Sequence, residues 1–199
     1  MPGRQISRCS LPNLWLVTDR RTDGLLAAAL ARLPRGAGVI FRHYHLGPGE
    51  RRARFRGVQA LARRRGLVLA WAGGAREARG LGADACYGSA ALLARGPTLA
   101  RLVTAHSLAE LGAAARGRAD AVLLSPVFAT RSHPGARGLG PVRFRLLAWR
   151  GGVPVLALGG MNAHRARALG ATGWAAIDGL ADAGNSIHRN KEARIPVDS

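Results

Sequence analysis

Lysine is nearly absent from this chain of 199 residues: Lys191 is the only one, and arginine supplies the rest of the cation excess behind a formal net charge of +19. Clustered cations bind polyanions by releasing counterions, yet these arginines are spread over most of the expected helices. Aromatic residues make up 5% of the sequence, too few to interleave with the arginines as stacking platforms for bases. The distribution argues against nucleic acid as a partner and for a general bias toward Arg, Ala and Gly, while leaving a positive field that attracts phosphorylated metabolites. Cysteine is scarce too. Cys9 and Cys86 lie far apart and outside any CxxC or Cys/His spacing, which speaks against a disulfide framework or a zinc site and fits a reduced, cytoplasmic setting. No apolar run nears the ~20 residues that span a bilayer, and the opening MPGRQISRCSLPN holds no apolar signal core, so neither membrane insertion nor export is expected.

What is present is the composition of one folded domain, 48% hydrophobic and 21% charged, with enough length for a sizeable core. Short apolar segments recur, each followed by an Ala/Leu/Arg segment with apolar residues three and four apart, the mark of βα units in a parallel sheet. Strands are expected at Leu14–Thr18, Gly38–Arg42, Leu67–Trp71, Ala85–Gly88, Leu102–Ala105, Ala121–Ser125, Pro154–Leu158 and Trp174–Ile177. Helices are expected at Asp23–Arg32, Glu50–Arg65, Ala75–Gly80, Ala90–Arg95, Leu108–Arg116, Pro141–Trp149 and Ala163–Leu169.

Eight such strands can close into a ring, whereas five or six would make an open doubly wound sheet. The expected fold is therefore α/β, a single small (β/α)8 TIM barrel over residues 13–182, with 1–12 as an N-terminal extension and 183–199 as a polar tail. The fourth unit is the weak one, because ACYG and its helix are both short, and distortion of the ring is expected there if anywhere.

In such a barrel the chemistry sits on loops leaving the strand C-termini, often with a phosphate site after strands seven and eight. After strand seven the chain reads PVLALGGMNAHRA. Gly159 and Gly160 would let backbone N–H groups approach an anion and Asn162 would cap the next helix, although a Gly-Gly pair can simply make a turn. After strand six comes SPVFATRSHPGARGLGPVRF, a long loop in which Thr130 and Ser132 bring hydroxyls and Arg131, His133 and Arg137 bring charge. That mixture suits a diphosphate whose oxygens must be neutralised. His43 and His45 could face one way from a strand end, but no third ligand is in view, and no metal site is assigned.

LWLVTDRR (14–21), TAHSLAEL (104–111), ADAVLLSPVFATRSHPGARGLG (119–140) and PVLALGGMN (154–162) stand in the order and spacing of the thiamine phosphate synthase family, which includes thiazole tautomerases, and the chain resembles it over roughly residues 13–182. The resemblance implies a barrel that joins a pyrimidine methyl diphosphate to a thiazole phosphate, releasing pyrophosphate, with Mg2+ as the expected cofactor and phosphorylated small molecules as substrates. By position it makes Arg42, Thr130 and Ser132 the residues facing the diphosphate. Thr104 and His106 match the fifth-strand serine and histidine, and Gly159 and Gly160 match the backbone grip on the thiazole phosphate. Arg42 could equally be a satisfied strand-end cation, and Thr104 and His106 could merely lead into a helix capped by Ser107.

The same comparison shows departures. Tyr44 stands where the family's second-strand motif ends in lysine. Ala70–Trp71–Ala72 replaces a metal-supporting Asn-Asp, and Ala85–Cys86–Tyr87–Gly88–Ser89 replaces a motif ending in a metal-binding Asp, so the Mg2+ ligands are missing. Asp84 precedes strand four and belongs to the other end of the barrel. Asp178 stands close to where the family carries a small hydroxyl beside the thiazole phosphate, and it would either repel that phosphate or cap a helix beginning near Gly179. Pro126 replaces the histidine of the tautomerase branch, for which His133 or His106 would have to substitute. Two other readings stay open at this point: a tautomerase-like isomerase, and a non-catalytic binder of phosphorylated heterocycles.

Overall fold

A computed structural model describes residues 11–130, 135 and 137–181. The N-terminal extension as far as residue 10, the tail after 181 and residues Arg131, Ser132 and His133 of the strand-six loop lie outside the described residues. Eight parallel strands form a closed ring in chain order, β1 (Leu14–Val17), β2 (Gly38–Phe41), β3 (Val68–Ala72), β4 (Ala85–Gly88), β5 (Ala100–Ala105), β6 (Ala121–Leu124), β7 (Val155–Ala157) and β8 (Trp174–Ala176). Pairing of Leu14, Trp15 and Leu16 with Trp174, Ala175 and Ala176 closes it.

The crossovers are α1 (Leu26–Arg32), α2 (Pro48–Arg65), α3 (Ala75–Gly80), α4 (Ala90–Leu93), α5 (Leu108–Arg116), α6 (Gly140–Arg150) and α7 (Ala163–Leu169), and α8 (Asp178–Ala181) follows β8. Four depart from expectation by more than one residue at an end. The segment before α1 is a 3-10 helix, Arg20–Leu25, started by the Asp19 carboxylate accepting from Arg21 N–H. α2 begins two residues early because Pro48 suits the first helical turn and Glu50 reaches back to the Gly47 N–H at 3.4 Å. α4 is a single turn capped by Ser89, and α8 is one the pattern left undecided. The fourth strand is not distorted: β4 pairs through three residues with β3 and four with β5. The thin seam is β7–β8, joined by the one register pair Ala157↔Trp174.

Alternation along the strands divides the core in two. Trp15, Val17, Ile40, Ala70, Ala85, Tyr87, Leu102, Leu123 and Leu156 fill the barrel. Leu16, Val39, Phe41, Trp71, Val103 and Val122 face the helices, where Phe55 and Val58 of α2 and Leu111 of α5 meet them. Small residues inside the ring make room for large ones: Gly38 stands beside Trp15, and a Cβ there would lie 2.2 Å from the indole. Among the described residues no helix is long and apolar enough to cross a membrane.

Candidate active site

The alternation that aims Ile40 and Leu102 into the barrel puts Arg42 and Thr104 in the same register at its C-terminal mouth. Thr104 is half-buried and its hydroxyl donates to Gly88 O at 3.5 Å. Below the mouth Tyr87 is buried, and burial pushes its phenol up to about 12, with Arg42 pulling the other way and Tyr44 reinforcing the rise. Tyr87 is therefore a neutral phenol beside a guanidinium. Tyr44, at the position of the family's lysine, has two cations near its ring, the Arg42 Cζ 5.4 Å and the Arg51 Cζ 5.0 Å from its centroid. Arg51 also stacks on Trp71 at 3.9 Å and donates to the carbonyls of Arg42 and Ala72, tying the ends of β2 and β3 together.

Past the end of β1, next to β2, Arg21 lies between two carboxylates. Its Nε donates to Asp19 at 2.8 Å and its Nη1 reaches Asp178 at 3.5 Å. Burial works to raise the Asp19 pKa, but the hydrogen bonds from Arg21, aided by Arg42, hold it below the usual carboxylate value. Asp178 thus opens α8 with Arg21 as its counter-ion.

The loops after β6 and β7 are laced together. Val127 N–H donates to Leu158 O at 2.9 Å and Phe128 N–H to Gly159 O at 3.1 Å. Gly159 and Gly160 have φ of +97° and +60°, and Cβ atoms on them would lie 2.7 Å from Pro126 Cα and 2.5 Å from Ala129 O. These glycines let two loops touch as well as turn, and the contact carries the half-buried Thr130 alongside them. Arg165 of α7 donates to Gly160 O and lies 4.9 Å over the Phe128 ring. Asn162 caps α7 through the Arg165 N–H at 2.8 Å.

His106 stands apart from that group. It is exposed, its Nδ1–H donates to Ser125 O at 2.7 Å, and its backbone N–H is held by Glu110 next to the Ser107 cap of α5. It lines a cleft of about 310 Å³ between α5 and α6 with Leu108, Arg143 and Leu146. His43 and His45 do not share one strand face. The chain turns after Phe41, His43 takes φ +34°, and both nitrogens of its buried ring are hydrogen-bonded to protein.

Nor do the carboxylates here suit Mg2+. No group of three His, Cys, Asp or Glu side chains is placed to hold a metal among the described residues. Asp19 and Asp178 face Arg21, Asp23 faces His43 and Arg54, and Glu77 accepts from Trp71 Nε1 and Arg52. Asp84 accepts from Leu69 N–H at the start of β3, at the far end of the barrel. A hard divalent cation needs several oxygens free of such cations, and the described residues do not fit it.

A family model described as thiamine monophosphate synthase matches residues 14–180. The chain belongs to that family. A curated relative from Aquifex aeolicus (strain VF5) that carries the thiamine-phosphate synthase name is 34% identical over 77 residues, and the match spans 39% of this chain and 41% of that one. Thiamine phosphate pyrophosphorylase from Pyrococcus furiosus superposes with a TM-score of 0.74 at 24% identity over 89% of this chain and 90% of its own. FabK from Thermotoga maritima superposes with a TM-score of 0.62 at 16% identity, over 85% of this chain and 59% of its own. At such identities the superpositions speak for the barrel alone, since one barrel serves many chemistries.

Within this thiamine monophosphate synthase family member, three mouth residues escaped the sequence reading. Tyr87 was legible from the alternation of Ala85 and Tyr87 into the barrel. Arg21 has a local partner in Asp19, but its contact with Asp178, 157 residues away, and that of Arg51 with Ala72, 21 residues away, leave no local signal.

Proposed function

We propose that this protein is a thiamine phosphate synthase-type transferase, joining a hydroxymethylpyrimidine diphosphate to a hydroxyethylthiazole phosphate. The observation that supports it most is that one barrel mouth gathers Arg42 on one side and Thr130, Gly159 and Gly160 on the other, in a chain of this family. In the reaction the bond from the pyrimidine methylene carbon to the diphosphate oxygen breaks, and its electron pair leaves with the diphosphate. The thiazole nitrogen then attacks the pyrimidine-stabilised cation, forming the C–N bond and releasing pyrophosphate.

Such chemistry asks the protein for charge neutralisation, exclusion of water and alignment more than for covalent help. Arg42 would neutralise the departing diphosphate, with hydroxyls of Thr130 and Ser132 as donors. Thr104 would hold the pyrimidine side, and the Gly159–Gly160 turn would present its backbone to the thiazole phosphate. His106 is left on the outer cleft, and no step is given to it. Because the carboxylates do not fit Mg2+, no step is routed through that ion.

The test is formation of thiamine phosphate from the two substrates, with and without EDTA, followed for the wild type, Arg42→Ala and Thr130→Ala. Turnover is expected, with losses on the order of a hundredfold for Arg42→Ala, as for loss of a charge-stabilising donor. Turnover indifferent to both substitutions means that the diphosphate lies elsewhere, and no thiamine phosphate under any condition removes the transferase reading.

A further inference from the structure

Beneath Arg42 lies a polar chain, buried at Thr18 and His43 and open to solvent at Asp23 and Arg54, that the proposed chemistry leaves unused. The Arg42 N–H donates to Thr18 Oγ1 at 2.9 Å, and Thr18 Oγ1 is 2.8 Å from His43 Nδ1. His43 Nε2 is 2.8 Å from Asp23 Oδ1, which also accepts from Arg54 at 2.7 Å. Thr18 is 1% exposed and the His43 side chain 0%. Four elements meet here: the ends of β1 and β2, the 3-10 helix and α2.

Hydrogen-bond direction along this chain has one consistent solution. Burial works to raise the Asp23 pKa, but Arg54 and His43 outweigh it and keep the carboxyl ionised, so Asp23 can only accept. His43 Nε2 must then carry a proton and donate. Burial holds the His43 pKa below its ordinary value, with Asp23 opposing and His45 and Arg54 adding to the fall. Its ring is therefore neutral and Nδ1 accepts, which turns the Thr18 hydroxyl proton toward His43 and leaves a Thr18 lone pair for Arg42 N–H. His43 adopts φ +34°, an uncommon conformation for a residue with a side chain, and stacks on Phe41 at 4.4 Å with a 6° tilt. A Val and Phe pair would fill the same space without burying polar atoms. What the polar pair adds is a fixed position for the backbone of Arg42.

We propose that Thr18 and His43 are positioning residues that clamp the Arg42 backbone so that its guanidinium meets the anion at the barrel mouth. The inference rests on the reading of Arg42 as a diphosphate ligand. Protonation of His43 adds a proton at Nδ1, so that bond must reverse: Thr18 Oγ1 then accepts from both Nδ1–H and Arg42 N–H, its own buried proton loses its acceptor, and the clamp weakens. The charged and titratable groups facing His43 are Asp23 of the 3-10 helix, Arg54 of α2, and Arg42 and His45 on its own segment; Thr18 of the β1 end is uncharged.

The experiment is calorimetric titration of the full chain with inorganic pyrophosphate, across the pH range on either side of about 6.5, the ordinary histidine value. The proteins are the wild type, His43→Phe, Thr18→Val, Thr18→Ser, Arg42→Ala and Arg42→Ala/His43→Phe, each checked for folding by circular dichroism. His43→Phe and Thr18→Val should each weaken binding on the order of tenfold, because a small misplacement of a charge-pairing group is costly. Thr18→Ser should retain wild-type affinity. His43→Phe should cost nothing further once Arg42 is alanine, the signature of two residues acting through one.

The wild-type advantage over His43→Phe should shrink as pH falls, a ratio from which the ionisation of pyrophosphate itself cancels. Additive losses in the double variant, or an advantage constant with pH, overturn the clamp. Weakening by Arg42→Ala with no effect of His43→Phe and Thr18→Val overturns the clamp alone. Wild-type affinity in Arg42→Ala overturns the diphosphate assignment and the clamp with it.

Discussion

Gly160→Ala is expected to damage both the stability of the barrel and its affinity for an anion, and Gly170→Ala provides the control. Both glycines have left-handed backbone, φ +60° at Gly160 and φ +65° at Gly170. An L-residue in that region costs about 1–2 kcal/mol, and this is the whole expectation for Gly170, whose added Cβ would meet nothing within 4 Å. At Gly160 the Cβ would lie 2.5 Å from Ala129 O, a backbone atom, and 3.0 Å from Phe128 Cβ. Relieving such an overlap by shifting backbone adds about 1–3 kcal/mol, so Gly160→Ala should be about 2 kcal/mol less stable than Gly170→Ala. For a domain of this size that is a difference of about 4–8 °C in melting temperature. Urea unfolding curves for the two variants measure it directly. Because the relief must push the β6 loop away from Gly160, pyrophosphate affinity should fall in Gly160→Ala and stay unchanged in Gly170→Ala. Equal stability losses in the two would refute the claim that the β6 and β7 loops are in backbone contact.

Opposite ends of the barrel should respond separately: Asp84→Ala, which removes the acceptor for Leu69 N–H, should cost about 1 kcal/mol in urea unfolding and leave pyrophosphate affinity unchanged. Arg21→Ala should alter stability by no more than about 1 kcal/mol, its ion pairs being open to solvent on one side, but should lower pyrophosphate affinity by uncovering Asp19 and Asp178. That loss should be greatest at low ionic strength, and a loss unaffected by salt would count against an electrostatic origin. Stability itself should fall as pH drops below about 6.5. His43 has a folded pKa below the unfolded value, so in that window the unfolded chain binds more protons and acid favours it. The folded pKa values of Asp19 and Asp23 are likewise depressed, so a second loss follows below about 4. Unfolding free energies measured against pH for the wild type and His43→Phe check this, since the first step should disappear in the variant.

Much of the barrel was legible because its signals are local. Strands such as Ala85–Gly88 and Ala121–Leu124 are short apolar runs between helix-forming segments, and α3, α5 and α7 begin and end where the pattern places them. Ser107 and Asn162 announce their helices by capping chemistry that spans three residues. The weak fourth unit misled in one respect: its strand is short, but its pairing on both sides is sound, because pairing depends on neighbours the segment does not contain. In the candidate site the resemblance pointed to Arg42, Thr104, Thr130, Ser132 and the Gly159–Gly160 turn, all at or after the C-terminal ends of their strands. It joined His106 to them, whereas the ring turns that side chain toward Ser125 and the α5–α6 cleft.

By itself, then, the order of residues determined that this chain makes alternating strands and helices, which strand positions face inward, and which family it belongs to. Periodicity, turn chemistry and motif spacing all operate over a few residues to a few tens of residues, so they survive without coordinates. Closure of β1 on β8 is what brings Arg21 to Asp178 from 157 residues away and decides that this acidic group has a counter-ion. The same closed geometry packs Gly160 against Ala129 and joins Thr18, His43, Asp23 and Arg54 beneath Arg42. Those contacts are between segments that are neighbours only in the ring, and the partner of a charge or a crowded glycine is fixed by that adjacency.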